Sequence, residues 1–410
     1  MNVPKLRFKE FDWEWKGSTF GELFEVKSGY AFKLKDYVSN GINLINGESI
    51  QHNYIQTNNM NFLPNDFLIK YQDFKLVKDD IVLGLNRPII SGNLKIARVT
   101  KELDNSLLYQ RAGKIIFKSD DLCRDFFYIF LSKEIYDFAN KESVGSDQPF
   151  ISTTKLNKWK FTYPENLAEQ KKIGDFFEKL SKKIQLQQQK IDLLKEQKKG
   201  YMQKVFKQEI RFKDEDGRDY KSWIYKPLSK IADKISKKNR DLVVTNVISN
   251  SASKGLISQI EYFEKDIANK ENIGGYYVIS TDDFVYNPRI SSEAPYGPVN
   301  IYNNKADGIV SPLYTCFRLK DSNKKFIYYY FKSSLWHKYV YTNGDSGARH
   351  DRVSIKDSTF FEMPIALPSL EEQEKIASFL SKLDEKIQLE QQKLTALEEQ
   401  KKGFMQQMFV

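Results

Sequence analysis

Residues 167–206 read LAEQKKIGDFFEKLSKKIQLQQQKIDLLKEQKKGYMQKVF, and residues 370–409 read LEEQEKIASFLSKLDEKIQLEQQKLTALEEQKKGFMQQMF. About 24 of the roughly 40 aligned positions are identical, far more than chance self-similarity would give. A shorter signature is repeated as well, because RFKE at residues 7–10 returns as RFKD at residues 211–214. The chain is therefore an internal repeat of two homologous halves.

Both copies of the long segment have the features of a helix. Each follows a proline, Pro164 or Pro368, and carries glutamates in its first turns, which suits the positive end of the helix dipole. Apolar residues recur at alternating steps of four and three, the heptad pattern of a coiled coil. One such stripe would indicate only a buried helix face, but two matched stripes in one chain each need a partner. We therefore expect the two helices to pair as an antiparallel coiled coil.

Polar residues interrupt both heptad patterns at the same two places. We expect these residues to form polar layers, which fix the register of a coiled coil at some cost in stability. The four residues are Gln187 and Lys198 in the first copy, and Glu390 and Lys401 in the second. A helix of about 40 residues would be about 60 Å long.

The segments between signature and helix share an outline but little sequence. DDIV at residues 79–82 resembles DDFV at 282–285, and FFYIFL at 126–131 resembles FIYYYF at 326–331. Short β-branched and aromatic runs broken by Gly, Asn and Pro predict irregular sheet with long loops and a helix or two. The predicted fold is mixed α/β (α+β), with two homologous domains separated by the paired helices. The predicted boundaries are a domain at 1–165, a helix at 166–207, a domain at 208–366 and a helix at 367–410.

Composition favours a nucleic-acid partner. The formal net charge is +10 and the sequence pI is about 9.1, a balance that favours polyanions, although a merely basic protein would have it too. No segment approaches the roughly 18 apolar residues of a membrane span, and the N-terminus lacks an apolar signal region. The two cysteines, Cys123 and Cys316, lie far apart and outside any CxxC. We expect the protein to be located in the reducing cytoplasm.

The sequence motifs of common catalytic and cofactor sites are missing. We find no HExxH, no P-loop and no GxGxxG that opens a helix, and Asn287-Pro288-Arg289 lacks the second proline and the ring of the NPP[YF] motif of amino-methyltransferases. Asp79-Asp80 and Asp282-Asp283 can be interpreted as a metal-binding carboxylate pair or as a turn that starts a strand. Neither pair is followed by a nuclease-like Glu-x-Lys, which favours the turn. We expect no catalytic residue, metal or cofactor in this chain.

These features resemble the specificity subunits of bacterial type I restriction-modification systems. The resemblance is carried by LxEQxKI after a proline, by the EQKKG-[YF]-MQ ending, by the RFK…W…L entry, and by SGYAFKLKDY at residues 28–37. It covers essentially the whole chain, and the helices are its specific part. The first half departs modestly, with one residue more between the end of the domain and Leu167 than the second half has before Leu370.

The resemblance implies two target recognition domains, each reading one half of a bipartite site in double-stranded DNA, with the paired helices as a spacer. It also implies two partner types: modification subunits that bind S-adenosylmethionine and methylate adenine, and restriction subunits that use ATP and Mg²⁺. This chain would be the non-catalytic subunit. Two rivals remain: a coiled-coil scaffold that bridges DNA without reading it, and a fused methyltransferase or nuclease.

Sequence is read by side chains that reach base edges, while Lys and Arg on phosphates supply affinity. Polar residues on Gly/Pro-bounded loops are the candidate base readers, although solvated loop residues would look the same. They are Asn86, Arg87, Ser146 and Gln148 in the first domain, and Arg289, Arg349, His350 and Arg352 in the second. The candidate phosphate contacts, which could equally be solvated charges, are Lys33, Lys35, Lys237, Lys238 and Arg240.

Overall fold

The computed structural model describes residues 3–142, 149–259, 270–345 and 351–409, with the backbone alone for residues 270–272. The chain divides into two units: the first is Met1–Gln188 with Gln392–Val410, and the second is Gln189–Gln391. Each long helix therefore contributes one half to each unit. Among the described residues, no helix is both long and apolar enough to cross a membrane.

The first unit is built from short strands and a few helices. Its strands are β1 (Lys16–Thr19), β2 (Phe24–Ser28), β3 (Ile42–Ile45), β4 (Asn61–Leu63), β5 (Lys75–Leu76), β6 (Ile81–Gly84), β7 (Ile89–Ile90), β8 (Asn93–Leu94), β9 (Ile96–Arg98), β10 (Ser106–Leu108), β11 (Ala112–Phe117) and β12 (Lys160–Tyr163). Its helices are α1 (Phe20–Leu23), α2 (Phe67–Lys70), α3 (Arg124–Glu142), α4 (Thr153–Leu156) and the start of α5 (Leu167–Phe206), with 3-10 turns at Leu34–Asp36, Gln72–Phe74 and Lys101–Leu103.

The second unit repeats this plan. Its strands are β13 (Ile224–Pro227), β14 (Ala232–Lys234), β15 (Val247–Ser251), β16 (Gly255–Ser258), β17 (Tyr277–Ile279), β18 (Phe284–Tyr286), β19 (Val299–Ile301), β20 (Gly308–Val310), β21 (Thr315–Leu319) and β22 (Pro364–Leu367). Its helices are α6 (Leu228–Ile231), α7 (Lys324–Lys332), α8 (His337–Asn343), α9 (Asp357–Phe361) and the start of α10 (Leu370–Met408), with a 3-10 turn at Lys270–Gly275.

Three sheets have the same topology in both units, and the first unit has an additional two-stranded sheet, β7-β8. In the first, β1 pairs with β12, one sheet has the order β2-β11-β6-β9, and another has the order β4-β3-β10-β5 with β3 and β10 parallel. In the second, β13 pairs with β22, and the corresponding orders are β14-β21-β18-β19 and β16-β15-β20-β17, with β15 and β20 parallel. The predicted mixed α/β fold with two homologous halves is confirmed.

The long helices pair antiparallel within each unit. In the first unit the start of α5 packs on the end of α10, where the rings of Phe176 and Phe404 lie 5.0 Å apart between centroids. In the second unit the end of α5 packs on the start of α10, where the rings of Tyr201 and Phe379 lie 5.3 Å apart. These pairs occupy equivalent positions of the repeat. The predicted antiparallel pairing is therefore confirmed in each unit.

The residues predicted to form polar layers lie in varied surroundings. Glu390 is buried and forms an ion pair with Lys190 at 3.0 Å, and the half-buried Lys198 forms one with Asp384 at 2.5 Å. Gln187 and Lys401 are half-buried, and burial lowers the pKa of the Lys401 ammonium. Their role in setting the register remains a prediction.

A buried glutamate ties each helix to the signature that begins its half. Glu169 accepts two hydrogen bonds from the guanidinium of Arg7, at 2.7 and 2.8 Å, and a third from the indole Nε1 of Trp15 at 3.2 Å. From the sequence, this glutamate is expected only to interact favourably with the helix dipole, as any acidic side chain in the first turn would. The structure shows instead a carboxylate with 1% exposure and three specific donors.

The second half forms the same cluster. Glu372 is fully buried and accepts from Arg211 at 3.1 and 2.7 Å and from Trp223 Nε1 at 3.2 Å. The next glutamine in each helix adds a further tie, because its amide both donates to a proline carbonyl and accepts from a backbone N–H of the body. These glutamines are Gln170 and Gln373.

Replacement of Glu169 by alanine leaves a largely buried guanidinium and an indole N–H without their acceptor. We expect Glu169→Ala to lower the free energy of unfolding of the first unit by about 3 to 5 kcal/mol. Glu178→Ala, at an exposed position of the same helix, is the matched control, with an expected change within about 0.5 kcal/mol. Urea unfolding of the full chain measures both, and equal midpoints for the two variants would contradict the assigned role of the cluster.

Candidate nucleic-acid interface

In the first unit, the loop after β6 lies against the segment before α4. Asn86 forms a β-bridge with Phe150, flanked by hydrogen bonds from Arg87 N to Pro149 O at 2.7 Å and from Ile151 N to Leu85 O at 2.9 Å. The predicted base-reading loop that contains Asn86 and Arg87 therefore lies beside residues 149–151. This segment directly follows the second predicted base-reading loop of the unit. Ser146 and Gln148 of that second loop lie outside the described residues.

The second unit holds the corresponding loops in the same way. Arg289 forms a β-bridge with Arg352, flanked by hydrogen bonds from Ile290 N to Asp351 O and from Val353 N to Pro288 O, each 3.0 Å long. Alignment of DDIV at residues 79–82 with DDFV at 282–285 makes Asn86 and Arg289 equivalent, so the two bridges coincide in the repeat. Arg349 and His350 lie outside the described residues.

Side chains at the two bridges differ in chemistry. In the first unit Asn86 is half-buried and Arg87 is exposed. In the second unit Asp351 lies between two guanidinium groups, 3.2 Å from Arg352 and 3.5 Å from Arg289, and these hydrogen bonds, led by that from Arg352, lower the pKa of its carboxyl. Asn pairs well with adenine and Arg with guanine in the major groove, so the two bridges would suit different bases.

Asp351 was missed by the sequence reasoning. Base readers were sought among hydrogen-bond donors, and a carboxylate between His350 and Arg352 was passed over for that reason. Its position is informative, because it contacts two predicted base-reading arginines that come from segments about 60 residues apart in sequence. The available signal was an acidic residue within an arginine-rich loop.

Different buried polar groups support the two predicted base-reading loops. Under the first loop, Lys95 is 4% exposed and donates from Nζ to the carbonyl of Gly47 at 2.7 Å, and burial lowers the pKa of its ammonium. Under the second, the buried side-chain amide of Asn250 donates to the backbone carbonyl of Val285 at 2.7 Å, and the backbone carbonyl of Asn250 accepts from Asn287 Nδ2 at 2.9 Å. The loops are therefore held by tertiary contacts specific to each unit.

The predicted phosphate contacts are all exposed, on backbone that is fixed locally. Lys33 directly precedes the 3-10 turn Leu34–Asp36, and Lys35 lies within it. Asp36 Oδ2 accepts from the backbone N–H of Lys33 at 2.9 Å. In the second unit Lys237, Lys238 and Arg240 surround Asn239. The fully buried side chain of Asn239 closes its loop through two hydrogen bonds to the backbone of Val244.

The aspartate pairs that start β6 and β18 are turn residues. Asp80 accepts from the backbone N–H of Val77 at 2.8 Å and forms an ion pair with Lys114, while Asp283 is fully buried against the guanidinium of Arg318. These carboxylates are committed to turns and cations, which confirms the turn interpretation. Among the described residues, no group of His, Cys, Asp and Glu side chains is arranged to hold a metal ion.

A family model described as "Type I restriction modification DNA specificity domain" matches residues 13–196 and 225–399. A type I restriction enzyme specificity subunit (MjaVIII) of Methanocaldococcus jannaschii is 32% identical over 215 residues, which cover 52% of this chain and 50% of that protein. The EcoAI specificity subunit of Escherichia coli is 32% identical over 146 residues, 35% of this chain and 24% of that protein. The chain thus aligns with half or less of the length of these relatives.

Solved structures share the fold. The S subunit of a type I restriction-modification system from M. genitalium aligns over 100% of this chain and 99% of its own, with a TM-score of 0.55 and 15% identity. A second structure, from a study of complex assembly and conformational transition in a type I R-M system, aligns over 95% of this chain and 96% of its own, also with a TM-score of 0.55 and 15% identity.

Arg87 is held in the left-handed region of backbone conformation, with φ 44°, which costs a non-glycine residue about 1 to 2 kcal/mol. After allowance for the freedom of glycine in the unfolded chain, we expect Arg87→Gly to be about 0.5 to 1 kcal/mol more stable than Arg87→Ala. At Asn86, where φ is not positive, glycine should be less stable than alanine. Urea unfolding of the four variants tests this, and the same order at both positions would show that Arg87 is unstrained.

Proposed function

Since the chain belongs to the type I restriction-modification DNA specificity family, whose members are non-catalytic specificity subunits, we propose that it reads a bipartite site in double-stranded DNA. The first unit reads one half of the site and the second unit reads the other. The observation that carries this proposal is the repeated bridge, Asn86 to Phe150 and Arg289 to Arg352. One backbone arrangement presents different side chains in the two units, as two readers of different sequences require.

Base readout rests on the loops at these bridges. Asn86 and Arg87, with Ser146 and Gln148 of the neighbouring loop, read the first half-site. Arg289 and Arg352, oriented by Asp351 and joined by Arg349 and His350, read the second. A bidentate Arg contact to guanine is worth about 1 to 3 kcal/mol of discrimination.

Phosphate contacts supply the sequence-independent part of binding. We assign them to Lys33 and Lys35 in the first unit, and to Lys237, Lys238 and Arg240 in the second. Their side chains are exposed, and the net charge of +10 favours approach to a polyanion. They would position each unit on the duplex without selecting a sequence.

The paired helices set the gap between the half-sites and provide surfaces for partner subunits. Their outward faces are rich in Gln, Glu and Lys and also expose leucines, among them Leu186 and Leu389 at equivalent positions. We assign to these faces the docking of two modification subunits, which bind S-adenosylmethionine and methylate adenine. Restriction subunits, which use ATP and Mg²⁺, join that complex. Adenine methylation requires a flipped base, so this chain would hold the flanking bases while the partner extracts one.

Methylation mapping of DNA from cells that express this chain with its modification subunit tests the proposal. We expect one bipartite adenine motif with a fixed gap. Arg289→Ala should relax a single base position within one half of that motif and leave the other half unchanged. Lys237→Ala should weaken binding to all sequences and reduce the dependence of affinity on salt. Similar binding to every sequence by a verified complex would favour a DNA-bridging scaffold instead.

Removal of one heptad from each helix tests the spacer. Deletion of residues 185–191 together with 388–394 keeps the two copies matched and shortens each helix by about 10 Å, or about three base pairs of DNA. We expect the preferred gap to shrink by about that amount while both half-site sequences stay the same. Deletion of 185–191 alone is the control and should disrupt pairing. An unchanged gap in the double deletion would rule out the helices as the spacer.

A further inference from the structure

A turn that the sequence did not single out lies between the predicted base-reading and phosphate-binding segments of the first unit. Tyr109, Gln110 and Arg111 join β10 to β11, and a hydrogen bond from Ala112 N to Tyr109 O at 2.9 Å closes the turn. Gln110 and Arg111 are exposed. The turn is therefore a short, fixed connection that presents two polar side chains to solvent.

One side of this turn adjoins the reading loop. The β6–β11 ladder ends at the pair Gly84 and Ala112, and the next backbone hydrogen bond runs from Leu85 N to Arg111 O at 3.1 Å. Asn86 follows directly after that hydrogen bond. Continuation of the register places Gln110 and Arg111 opposite the start of the reading loop, and the carbonyl of the same Leu85 accepts from Ile151 N at 2.9 Å.

The other side of the turn adjoins the segment that leads to Lys33. Tyr30 forms a parallel bridge with Tyr109, and its carbonyl accepts from Gln110 N at 3.1 Å. The approach is so close that a Cβ on Gly29 would lie 2.2 Å from the carbonyl oxygen of Leu108, so glycine is required there. The turn is thus hydrogen-bonded on one side to the segment that leads to a candidate phosphate-binding residue, and on the other side to the segment that leads to a candidate base reader.

The two polar side chains of the turn are available to a ligand. Within the described parts of the chain, neither Gln110 nor Arg111 forms a side-chain hydrogen bond, ion pair or ring contact. By contrast, Arg98 pairs with Asp125, and Arg124 stacks on the ring of Phe117. An exposed arginine fixed by its backbone and left without an internal partner has its full fork of donors available for a ligand.

The second unit distributes its arginines differently at the corresponding turn. Its residues Ser311–Tyr314 are closed by a hydrogen bond from Tyr314 N to Ser311 O at 3.0 Å, and the positions of Gln110 and Arg111 are taken by Pro312 and Leu313. That unit instead has Arg289 at the position of Asn86. The first unit therefore has Arg87 on the reading loop and Arg111 on the turn, whereas the second unit has Arg289 on the loop and no arginine on its turn.

We propose that the turn Tyr109–Arg111 is a third reading segment of the first unit, in which Arg111 recognises a guanine next to the bases read by Asn86 and Arg87. This inference rests on the proposed function and adds a specificity-determining residue to it. The planar fork of Arg111 can donate two hydrogen bonds to the O6 and N7 acceptors of guanine in the major groove. Gln110 can donate to, and accept from, an adjacent adenine in the same way.

Methylation mapping and site-selection binding with the full chain and its modification subunit test the inference. Arg111→Ala should lose discrimination on the order of 10- to 100-fold at one guanine, in the half-site that Arg289→Ala leaves intact. Arg111→Lys keeps the charge but not the fork, so it should retain overall affinity and lose the same discrimination. Arg124→Ala, at the start of α3 where Arg124 stacks on Phe117 at the far end of β11, is the control and should keep the wild-type motif.

The outcomes separate this inference from the function on which it rests. If the wild-type complex selects no motif, the proposed function fails, whatever Arg111 does. If the wild type selects a bipartite motif and Arg111→Ala selects the same one at every position, the inference is overturned. It is equally overturned if Arg111→Ala weakens all sequences alike while Arg111→Lys behaves as wild type, because that pattern identifies a phosphate contact.

Discussion

A buried carboxylate near the start of each long helix is the constraint on which the rest of the molecule depends. Glu169 joins Arg7 and Trp15 to the first helix, and Glu372 joins Arg211 and Trp223 to the second. A carboxylate removed from water is tolerated only with such donors around it. The beginning of each half, its body and its helix are thereby locked into one arrangement, and that arrangement is the same in both units.

A scaffold fixed in this way leaves the loops free to differ. The sheets keep their strand orders, and the bridge between the two reading segments keeps its backbone hydrogen bonds. The groups beneath those loops have diverged, from the buried ammonium of Lys95 in one unit to the amides of Asn250 and Asn287 in the other. Side chains at the bridges have diverged with them. A constant backbone with variable side chains is what the proposed reading of two unlike half-sites requires.

Much of this organisation follows from sequence, and the exceptions have a common cause. The helices and their antiparallel pairing were predictable because the heptads occur twice, and Asn86 and Arg289 stand out because glycine and proline mark their loops. Glu169 was assigned to the helix dipole because its true partner, Arg7, lies far away along the chain. For the same reason, local pattern indicates neither the turn at Arg111 nor the contact of Asp351 with Arg289, since these neighbours are set by strand pairing, and Asp351 was passed over also because it is a carboxylate.

The central claim is that the two units are equivalent readers that differ only in the side chains they present. It is tested most directly by a chain in which residues 208–366 are replaced by the corresponding first-half body, with both helices retained and the modification subunit present. Methylation mapping should then show the first half-site sequence on both sides of the gap, with the gap unchanged. Retention of the original asymmetric motif, or loss of all sequence preference by a folded complex, would contradict the account.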